Sequence, residues 1–131
     1  MYVLDSNTLI YFFKGIGSVS KHLLAVPPKE IGIPSIVLFE LEVGIAKSTS
    51  AKKRLTQLQD FLSIVKILPF SKNEARSAAE IRVNLERKGT LIGPYDILIA
   101  ATAISNQGIL VTHNTKEFSR VKGLKLEDWY R

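Results

Sequence analysis

Several of the twelve acidic residues in this 131-residue chain stand beside or inside apolar segments. Asp5 directly follows the apolar residues 2–4, and Asp96 begins the apolar run DILIAATAI. Glu40 and Glu42 interrupt a third apolar run, SIVLFELEVGIA. A charged group in apolar surroundings is costly unless something compensates it. A helix cap would explain Asp96 alone, but the group shares a more economical explanation, which is a divalent cation, Mg²⁺ or Mn²⁺, held by carboxylate oxygens.

The segments that must position these carboxylates alternate between strand-like and helix-like patterns. Predicted strands lie at 2–4, 30–33, 64–68, 109–112 and 124–126. Predicted helices run from 6 or 7 to 14, over 36–46, from 50 or 51 through 62, from 72 to 89 and from 96 to 108, with a helical turn at 115–118. This alternation predicts a single α/β domain over residues 1–131, with a central, mainly parallel sheet flanked by helices. Such sheets place their sites outside the carboxyl ends of the strands.

Polar residues mark the predicted helix starts. The expected N-terminal caps are Ser6 or Asn7, Ser35, and Ser71. Ser71 and Glu74 also fit an S-x-x-E capping box. The helix that this box begins is expected to end at Gly89. The residues expected to be buried on it are Ala75, Ala78, Ala79 and Leu85.

Composition narrows the class of protein. The net charge of +6 and a pI near 9.7 favour a polyanionic partner such as RNA or DNA. The chain has no cysteine, which excludes disulfides and thiolate zinc sites and suits a reducing cytoplasm. No signal peptide is evident, and the apolar stretch 97–104 is far too short to span a bilayer. We therefore expect a cytoplasmic protein with no membrane association.

Three segments carry a family resemblance: VLDSNTLIYFF, PSIVLFELEVGIAKS and LIGPYDILIAATAISNQGILVTHNTKEFSRVKGLKLEDW. Together they resemble a PIN domain of the VapC type, the toxin of a bacterial toxin–antitoxin pair. Each motif is weak alone, but their order and distances make the set specific. The resemblance implies a PIN-like fold and a Mg²⁺-dependent endoribonuclease, with Mn²⁺ as an alternative ion. It also implies a structured, tRNA-like RNA substrate and a cognate antitoxin protein.

The resemblance assigns roles to particular acidic residues. It maps the active site onto Asp5, onto Glu40 in the E-L-x-x-G motif that ends at Gly44, and onto Asp96 in PYDILIAA. Apolar surroundings alone did not distinguish Glu40 from Glu42, whereas the motif selects Glu40. Asp5 and Asp96 are the expected metal ligands. Glu42 is then expected to be structural or exposed to solvent.

One departure from the family pattern follows the strand at 109–112. Many PIN domains carry a fourth acidic residue there, where this chain has His113 and Asn114. Either the neutral Asn114 fills that position by hydrogen bonding, or Glu117, three residues on, restores the carboxylate. Thr112 would place a hydroxyl that steadies a ligand or water. His113 has no His or Cys companion, so we expect no zinc or nucleophilic role for it.

Further residues are candidates for binding RNA or protein. Ser6 and Asn7 place N–H groups at a helix N-terminus, where they suit a phosphate oxygen, although simple capping explains them equally well. The candidate RNA-binding cations, which could equally be solvated helix ends, are Lys52, Lys53, Arg54, Arg82 and Arg87. A homodimer is also expected. Phe12 and Phe13 could join a subunit or partner interface, although burial is their default role.

Two other function classes compete with the nuclease. The first is a phosphoryl-aspartate protein, either a phosphatase or a receiver domain, because DSNT resembles the phosphatase pattern D-x-D-x-T. Asn7 replaces its second Asp, however, and KILPF lacks the acidic residue that a receiver needs. The second is an RNA- or protein-binding module with an inactive site, which the presence of Asp5, Glu40 and Asp96 disfavours.

Overall fold

A computed structural model describes residues 1–131 and contains one five-stranded sheet. The strands are β1 (Tyr2–Leu4), β2 (Ile31–Pro34), β3 (Lys66–Leu68), β4 (Ile109–Val111) and β5 (Lys125–Glu127). They lie side by side in the order β3-β2-β1-β4-β5, and every neighbouring pair is parallel. The predicted α/β class with a parallel sheet is therefore confirmed.

Seven helices connect and flank the strands. They are α1 (Ser6–Lys14), α2 (Val19–Leu24), α3 (Ser35–Ala46), α4 (Ala51–Leu62), α5 (Lys72–Lys88), α6 (Pro94–Ser105) and α7 (Thr115–Phe118). A short 3₁₀ turn, Pro28–Glu30, precedes β2, so this strand begins one residue later than predicted. β3 likewise begins at Lys66 rather than at residue 64. None of these helices is long and apolar enough to cross a bilayer.

The central strands are buried because helices cover both faces of the sheet. Val3, Leu4, Ile33, Leu110 and Val111 are completely buried. Strands enclosed in this way consist of nearly continuous apolar residues, which is why β1 and β4 lack an alternating pattern. α6 packs into the same core, and six of its twelve residues are buried.

The buried face of α5 matches the predicted one only in part. Ala78 and Leu85 are buried as expected, together with Ile81. Ala75 and Ala79, by contrast, are exposed. The spacing 78, 81 and 85 follows one helical face, and alanine is compatible with either face, so it is a weak indicator of burial. The predicted Ser71–Glu74 capping box is present, with the Glu74 carboxylate accepting from the Ser71 N–H at 2.8 Å.

Two predicted caps are wrong. The cap of α1 is Asp5 rather than Ser6 or Asn7, because the Asp5 Oδ1 atom accepts from the Thr8 N–H at 2.9 Å. Ser35 is the first residue of α3 and makes no capping bond, and Pro34 precedes it. Each error misplaced the predicted helix start by one or two residues. The residue that does cap α1, Asp5, is itself one of the candidate site residues.

The strand order reverses direction between β1 and β4. From β1 the chain moves outward to β2 and β3, then returns to place β4 and β5 on the other side. Connections leaving β1 and β4 therefore diverge, which opens a crevice at the carboxyl ends of these two strands. Asp5 follows β1 and Thr112 follows β4, so both residues lie at this crevice.

Candidate active site

Asp5 is held in place from two sides at the edge of the sheet. Asp5 is only 6% exposed, its Oδ1 atom accepts a hydrogen bond from the Thr8 N–H at 2.9 Å, and the nearby Thr112 side chain favours its ionised form. The Thr112 oxygen accepts from the Asn114 N–H at 3.0 Å, which leaves the Thr112 proton free to point at Asp5. Burial raises the pKa of Asp5, and these hydrogen bonds offset only part of that rise.

Asp96, in the first turn of α6, lies within electrostatic reach of three other carboxylates. Burial, followed by the negative charges of Asp5, Glu40 and Glu117, raises its pKa from 3.8 to about 6. Carboxylates raise one another's pKa only when they are close, since like charges disfavour joint ionisation. The structure therefore gathers four acidic residues that are separated by up to 112 positions in the chain.

Glu40 is oriented toward this cluster by Ser6. The Ser6 hydroxyl donates to the Glu40 Oε1 atom at 2.7 Å, joining α1 to α3 across 34 residues of sequence. Glu42 is exposed, as the sequence analysis expected. Asn7 is also exposed, so of the two residues that follow Asp5, only Ser6 has a side chain directed to the acidic cluster.

Asn114 and Glu117 occupy different places relative to the cluster. Asn114 is the residue before α7, and its backbone N–H binds Thr112. Glu117 lies one turn into α7, and its negative charge acts on Asp96. In this structure the fourth charge next to Asp96 therefore comes from Glu117, while Asn114 supports the hydroxyl that binds Asp5.

Asp128 is an acidic neighbour that the sequence analysis missed. Its negative charge contributes to the raised pKa of Asp5. Asp128 also pairs with the His113 Nδ1 atom at 3.0 Å, and His113 stacks on Tyr130 with ring centroids 4.1 Å apart. Burial opposes ionisation of Asp128, but His113, the Tyr130 N–H and the charge of Arg131 together lower its pKa. The available signal was its position directly after β5, which matches that of Asp5 after β1.

The carboxylate oxygen atoms at this site suit a hard cation. Nowhere in the chain do three His, Asp or Glu side chains lie close enough together to form a ready-made metal cluster. Mg²⁺, however, keeps several of its waters and is often bound through only one or two carboxylates. Asp5 and Asp96 provide that number, and a side-chain carbon at Gly93 would stand only 3.3 Å from the Asp96 Oδ2 atom, so glycine leaves this oxygen accessible. The residues therefore fit a largely hydrated divalent ion.

The candidate RNA-binding cations separate into distinct locations. Arg54 lines a groove that also contains Glu40, together with Lys14, which the sequence analysis did not select. Lys52 and Lys53 are exposed at the start of α4, outside the residues that line this groove. Arg82 pairs with Glu86 on α5 at 3.6 Å, and Arg87 lies on the outer surface of the same helix.

The parallel sheet and the carboxylates around Asp96 define the class of the protein, an α/β protein with an acidic candidate site beside the point where the strand order reverses. A PIN-domain family model matches residues 2–124. The chain is 40% identical to Ribonuclease VapC2 of Rickettsia felis, with 98% of each protein covered. It is 35% identical to the tRNA(fMet)-specific endonuclease VapC of Salmonella typhimurium, over 98% of this chain and 97% of that protein. The chain therefore belongs to the PIN-domain family, and its relatives are VapC ribonucleases.

Solved structures agree with this assignment. VapBC2 from Rickettsia felis, crystallised with a DNA fragment from its promoter, aligns with a TM-score of 0.91 at 39% identity over 98% of both chains. DNA-bound VapBC from Salmonella typhimurium aligns with the same TM-score, 0.91, at 35% identity. The strand order also differs from the β2-β1-β3-β4-β5 order of receiver-type folds, so the receiver alternative is wrong.

Proposed function

We propose that the protein is a divalent-metal-dependent endoribonuclease and the toxin of a VapBC-type pair. The observation that carries this proposal is the gathering of Asp5, Glu40 and Glu117 around Asp96, where burial and then these three charges raise the pKa of Asp96 to about 6. Carboxylates that repel Asp96 at close range are unfavourable for folding alone, and a bound cation would relieve that repulsion. The names of the VapC relatives supply the reaction class, ribonucleolytic cleavage.

We propose a separate role in phosphodiester hydrolysis for each of these side chains. Asp5 and Asp96 would hold Mg²⁺, or Mn²⁺ in its place, with Thr112 fixing the orientation of Asp5. When bound, that ion would neutralise charge at the phosphate and lower the pKa of a water. Glu40, oriented by Ser6, would act as the general base for the attacking water, and Glu117 would add the fourth negative charge. The first-turn N–H groups of α1, at Ser6 and Asn7, are suited to a phosphate oxygen.

The substrate that we propose is a structured RNA of the tRNA type. One relative is named a tRNA(fMet)-specific endonuclease, which makes initiator tRNA the first substrate to test. The net charge of +6 is consistent with a polyanionic substrate. We further propose that residues 1–131 act as one domain in the cytoplasm.

Paired substitutions on α3 test the catalytic assignment. Glu40→Gln should lower tRNA cleavage by orders of magnitude, whereas Glu42→Gln, two residues away and exposed, should leave it unchanged. Wild-type cleavage of radiolabelled initiator tRNA should stop in EDTA and return with Mg²⁺ or Mn²⁺. Full cleavage in a verified metal-free buffer would overturn the metal-dependent mechanism. Binding without any cleavage would favour the inactive binding module.

We propose that a cognate antitoxin inhibits by placing an Arg or Lys near the four carboxylates. Without metal, these close negative charges make the cleft a favourable place for a cation, because charge-assisted hydrogen bonds are among the strongest. Adding Mg²⁺ at rising concentration should therefore weaken the inhibited complex, as measured by calorimetry. A complex that inhibits fully while leaving the cleft open to solvent would contradict this mode.

Self-association to a homodimer is also part of the proposal. Phe39 and Tyr95 are 49% and 46% exposed, and their rings lie 5.6 Å apart on the surface. Exposed aromatic patches of this kind are typical of interfaces. Phe12 and Phe13 are instead half-buried and pack against Phe61 of the same chain. Sedimentation equilibrium should show a dimer for the wild type and a monomer for Tyr95→Glu, and a monomeric wild type would contradict the assignment.

A further inference from the structure

A groove of about 290 Å³ leads away from the acidic cluster between α1, α3 and α4. Glu40 lines it, and it continues along α3 past Gly44 to Ser48, two residues beyond the end of the helix, a distance of roughly 12 Å at the helical rise per residue. α1 contributes Phe13 and Lys14, and α4 contributes Arg54. The groove therefore connects the proposed catalytic centre with two cationic side chains.

These cations have no acidic partner within the chain. The ion pairs of the protein join Arg82 to Glu86 and Asp128 to His113 and Arg131, so neither Lys14 nor Arg54 takes part in one. α4 also begins with Lys52, Lys53 and Arg54 and has no acidic residue in its first turn. Cations at a helix N-terminus oppose the helix dipole, whereas an anion is favourable there. The absence of an acidic partner and, for Arg54, the position in the first turn of α4 favour an anionic ligand in the groove.

Gly44 gives a second, independent indication that the groove is used. Glycine inside a helix is less stable than alanine, so it needs a reason. Neither packing nor an unusual backbone angle provides one, because nothing lies within 4 Å of the place where a side-chain Cβ would stand. The absent side chain does one thing in this structure, which is to leave the groove open next to Glu40.

We propose that this groove holds the stretch of RNA next to the cleaved bond, with Lys14 and Arg54 contacting its phosphates and Gly44 leaving room for it. The inference rests on the proposed ribonuclease activity, since it takes the scissile phosphate to lie at the carboxylates. Phe13 also lines the groove and, being half-buried, offers part of its ring to a base. Aromatic rings beside cations are a common arrangement for binding single-stranded nucleic acid.

Charge removal inside and outside the groove tests this subsite. Binding of fluorescein-labelled initiator tRNA is measured in an Asp96→Asn background, which blocks cleavage, for Lys14→Gln/Arg54→Gln and for Lys29→Gln/Lys66→Gln. The second pair removes the same charge from exposed residues at the amino ends of β2 and β3, opposite the site. The groove pair should weaken binding about tenfold or more and reduce the salt slope by about 1.4, the value for two single-strand phosphate contacts. The control pair should change affinity by less than about twofold.

Equal losses in both pairs would overturn the proposal, since they would indicate general charge attraction. Unchanged affinity in the groove pair would also overturn it and would leave the groove to a peptide partner. If tRNA binds through the groove but is never cut with Mg²⁺, the proposed activity fails and the subsite stands. If tRNA is cut while the groove pair binds normally, the subsite fails and the activity stands.

Filling the groove provides a test that is independent of charge. Gly44→Leu should melt at or above the wild-type temperature, because leucine is the better helix former, yet weaken tRNA binding about tenfold. Ala46→Leu adds bulk to an exposed position of α3 that does not line the groove and should bind normally. A Gly44→Leu protein that is stable and binds tRNA as tightly as the wild type would show that the groove is not used.

Discussion

At the scale of single residues, Asp96 shows most directly that the site opposes folding in the absence of metal. Its pKa is raised by burial and by three carboxylates, from 3.8 to about 6. The folded state therefore binds a proton more tightly than the unfolded state does. Its contribution to stability is fully present below about pH 4 and is lost as the pH rises through about 6. A divalent ion would reverse this loss at neutral pH by replacing the proton.

Asp96→Asn should reveal this strain. In EDTA, the mutant and the wild type should melt together near pH 4, and the mutant should be more stable at pH 7 by about 1 kcal/mol after allowance for solvent screening. The loss of a favourable charge at the N-terminus of α6 opposes this gain, by less than about 1 kcal/mol. Thermal melts of both proteins across this pH range measure the difference. A mutant that melts well below the wild type in EDTA would identify Asp96 as a structural cap.

The same substitution should lower cleavage by orders of magnitude, since it removes the charge of a proposed metal ligand. It should also shrink the stabilisation gained from Mg²⁺, because linkage requires the ligand that was lost. Melting curves with increasing Mg²⁺ test this second effect without depending on activity. An undiminished gain would mean that Mg²⁺ binds elsewhere.

Ser6 should act on catalysis through Glu40. Ser6→Ala removes the 2.7 Å hydrogen bond to Glu40 Oε1 and frees that carboxylate to move. A small displacement of a catalytic group is costly in rate, so we expect kcat to fall about tenfold or more while KM stays nearly constant. Ser119→Ala removes a comparable 2.8 Å bond, to the Lys116 carbonyl, on the exposed end of α7 and serves as the control. Equal rates for both variants would show that Glu40 needs no such support.

At the scale of elements, the C-terminal segment closes onto the turn between α1 and α2. The Ser18 N–H donates to the Tyr130 carbonyl at 2.9 Å, and Gly17 passes so close that a Cβ there would stand 2.7 Å from the same oxygen. Tyr130 stacks on His113, which pairs with Asp128 beside Asp5. The close contact between Gly17 and Tyr130 therefore helps to hold His113 and Asp128 in place beside Asp5.

Gly15 and Gly17 allow the cost of backbone strain to be measured separately from the cost of disturbing the contact with Tyr130. Gly15 and Gly17 have nearly equal positive φ angles, 67° and 66°, but a Cβ at Gly15 would meet nothing within 4 Å. Gly15→Ala should cost about 1–2 kcal/mol of unfolding free energy from the backbone alone. Gly17→Ala should cost about 1–3 kcal/mol more, because the Tyr130 carbonyl must move. Urea denaturation measures both, and equal losses would mean that the terminus yields without strain.

At the scale of the whole molecule, a basic protein carries an acidic candidate site. The net charge is +6, yet Asp5, Glu40 and Glu117 all lie within electrostatic reach of Asp96. A bare acidic cleft repels RNA, so cations around it and an ion within it must reverse the local sign. The overall positive charge, which attracts RNA over long distances, and the acidic residues at the candidate site are thus separate features of the protein surface.

RNA affinity should consequently fall steeply as salt rises. The dissociation constant of Asp96→Asn for initiator tRNA should increase at least about tenfold between about 50 and 200 mM KCl, because bound phosphates release counterions. Fluorescence anisotropy at constant Mg²⁺ measures this change. Affinity that is constant over this range would mean that the basic charge of the protein does not contact RNA phosphates.

The sequence determined the layout of this protein through local patterns. Apolar runs short enough for strands alternate with helical spacing, which specified the parallel α/β class and most element positions. Ser71 and Glu74 marked the start of α5 correctly because a capping box is formed by neighbours in the chain. Family motifs selected Asp5, Glu40 and Asp96, and the fold then placed their charges within reach of one another.

Tertiary structure decided what depends on residues far apart in the chain. Local preference predicted Ser6 as a cap, but the Ser6 hydroxyl finds Glu40, 34 residues away, and Asp5 takes the capping role. Glu117, in the first turn of α7, adds its charge near Asp96, whereas the backbone N–H of Asn114 binds the Thr112 hydroxyl. Asp128 and Lys14 become visible as neighbours of the cleft only when β5 and α1 are packed. Side-chain direction and long-range charge interactions depend on the assembled fold, and no local sequence pattern encodes them.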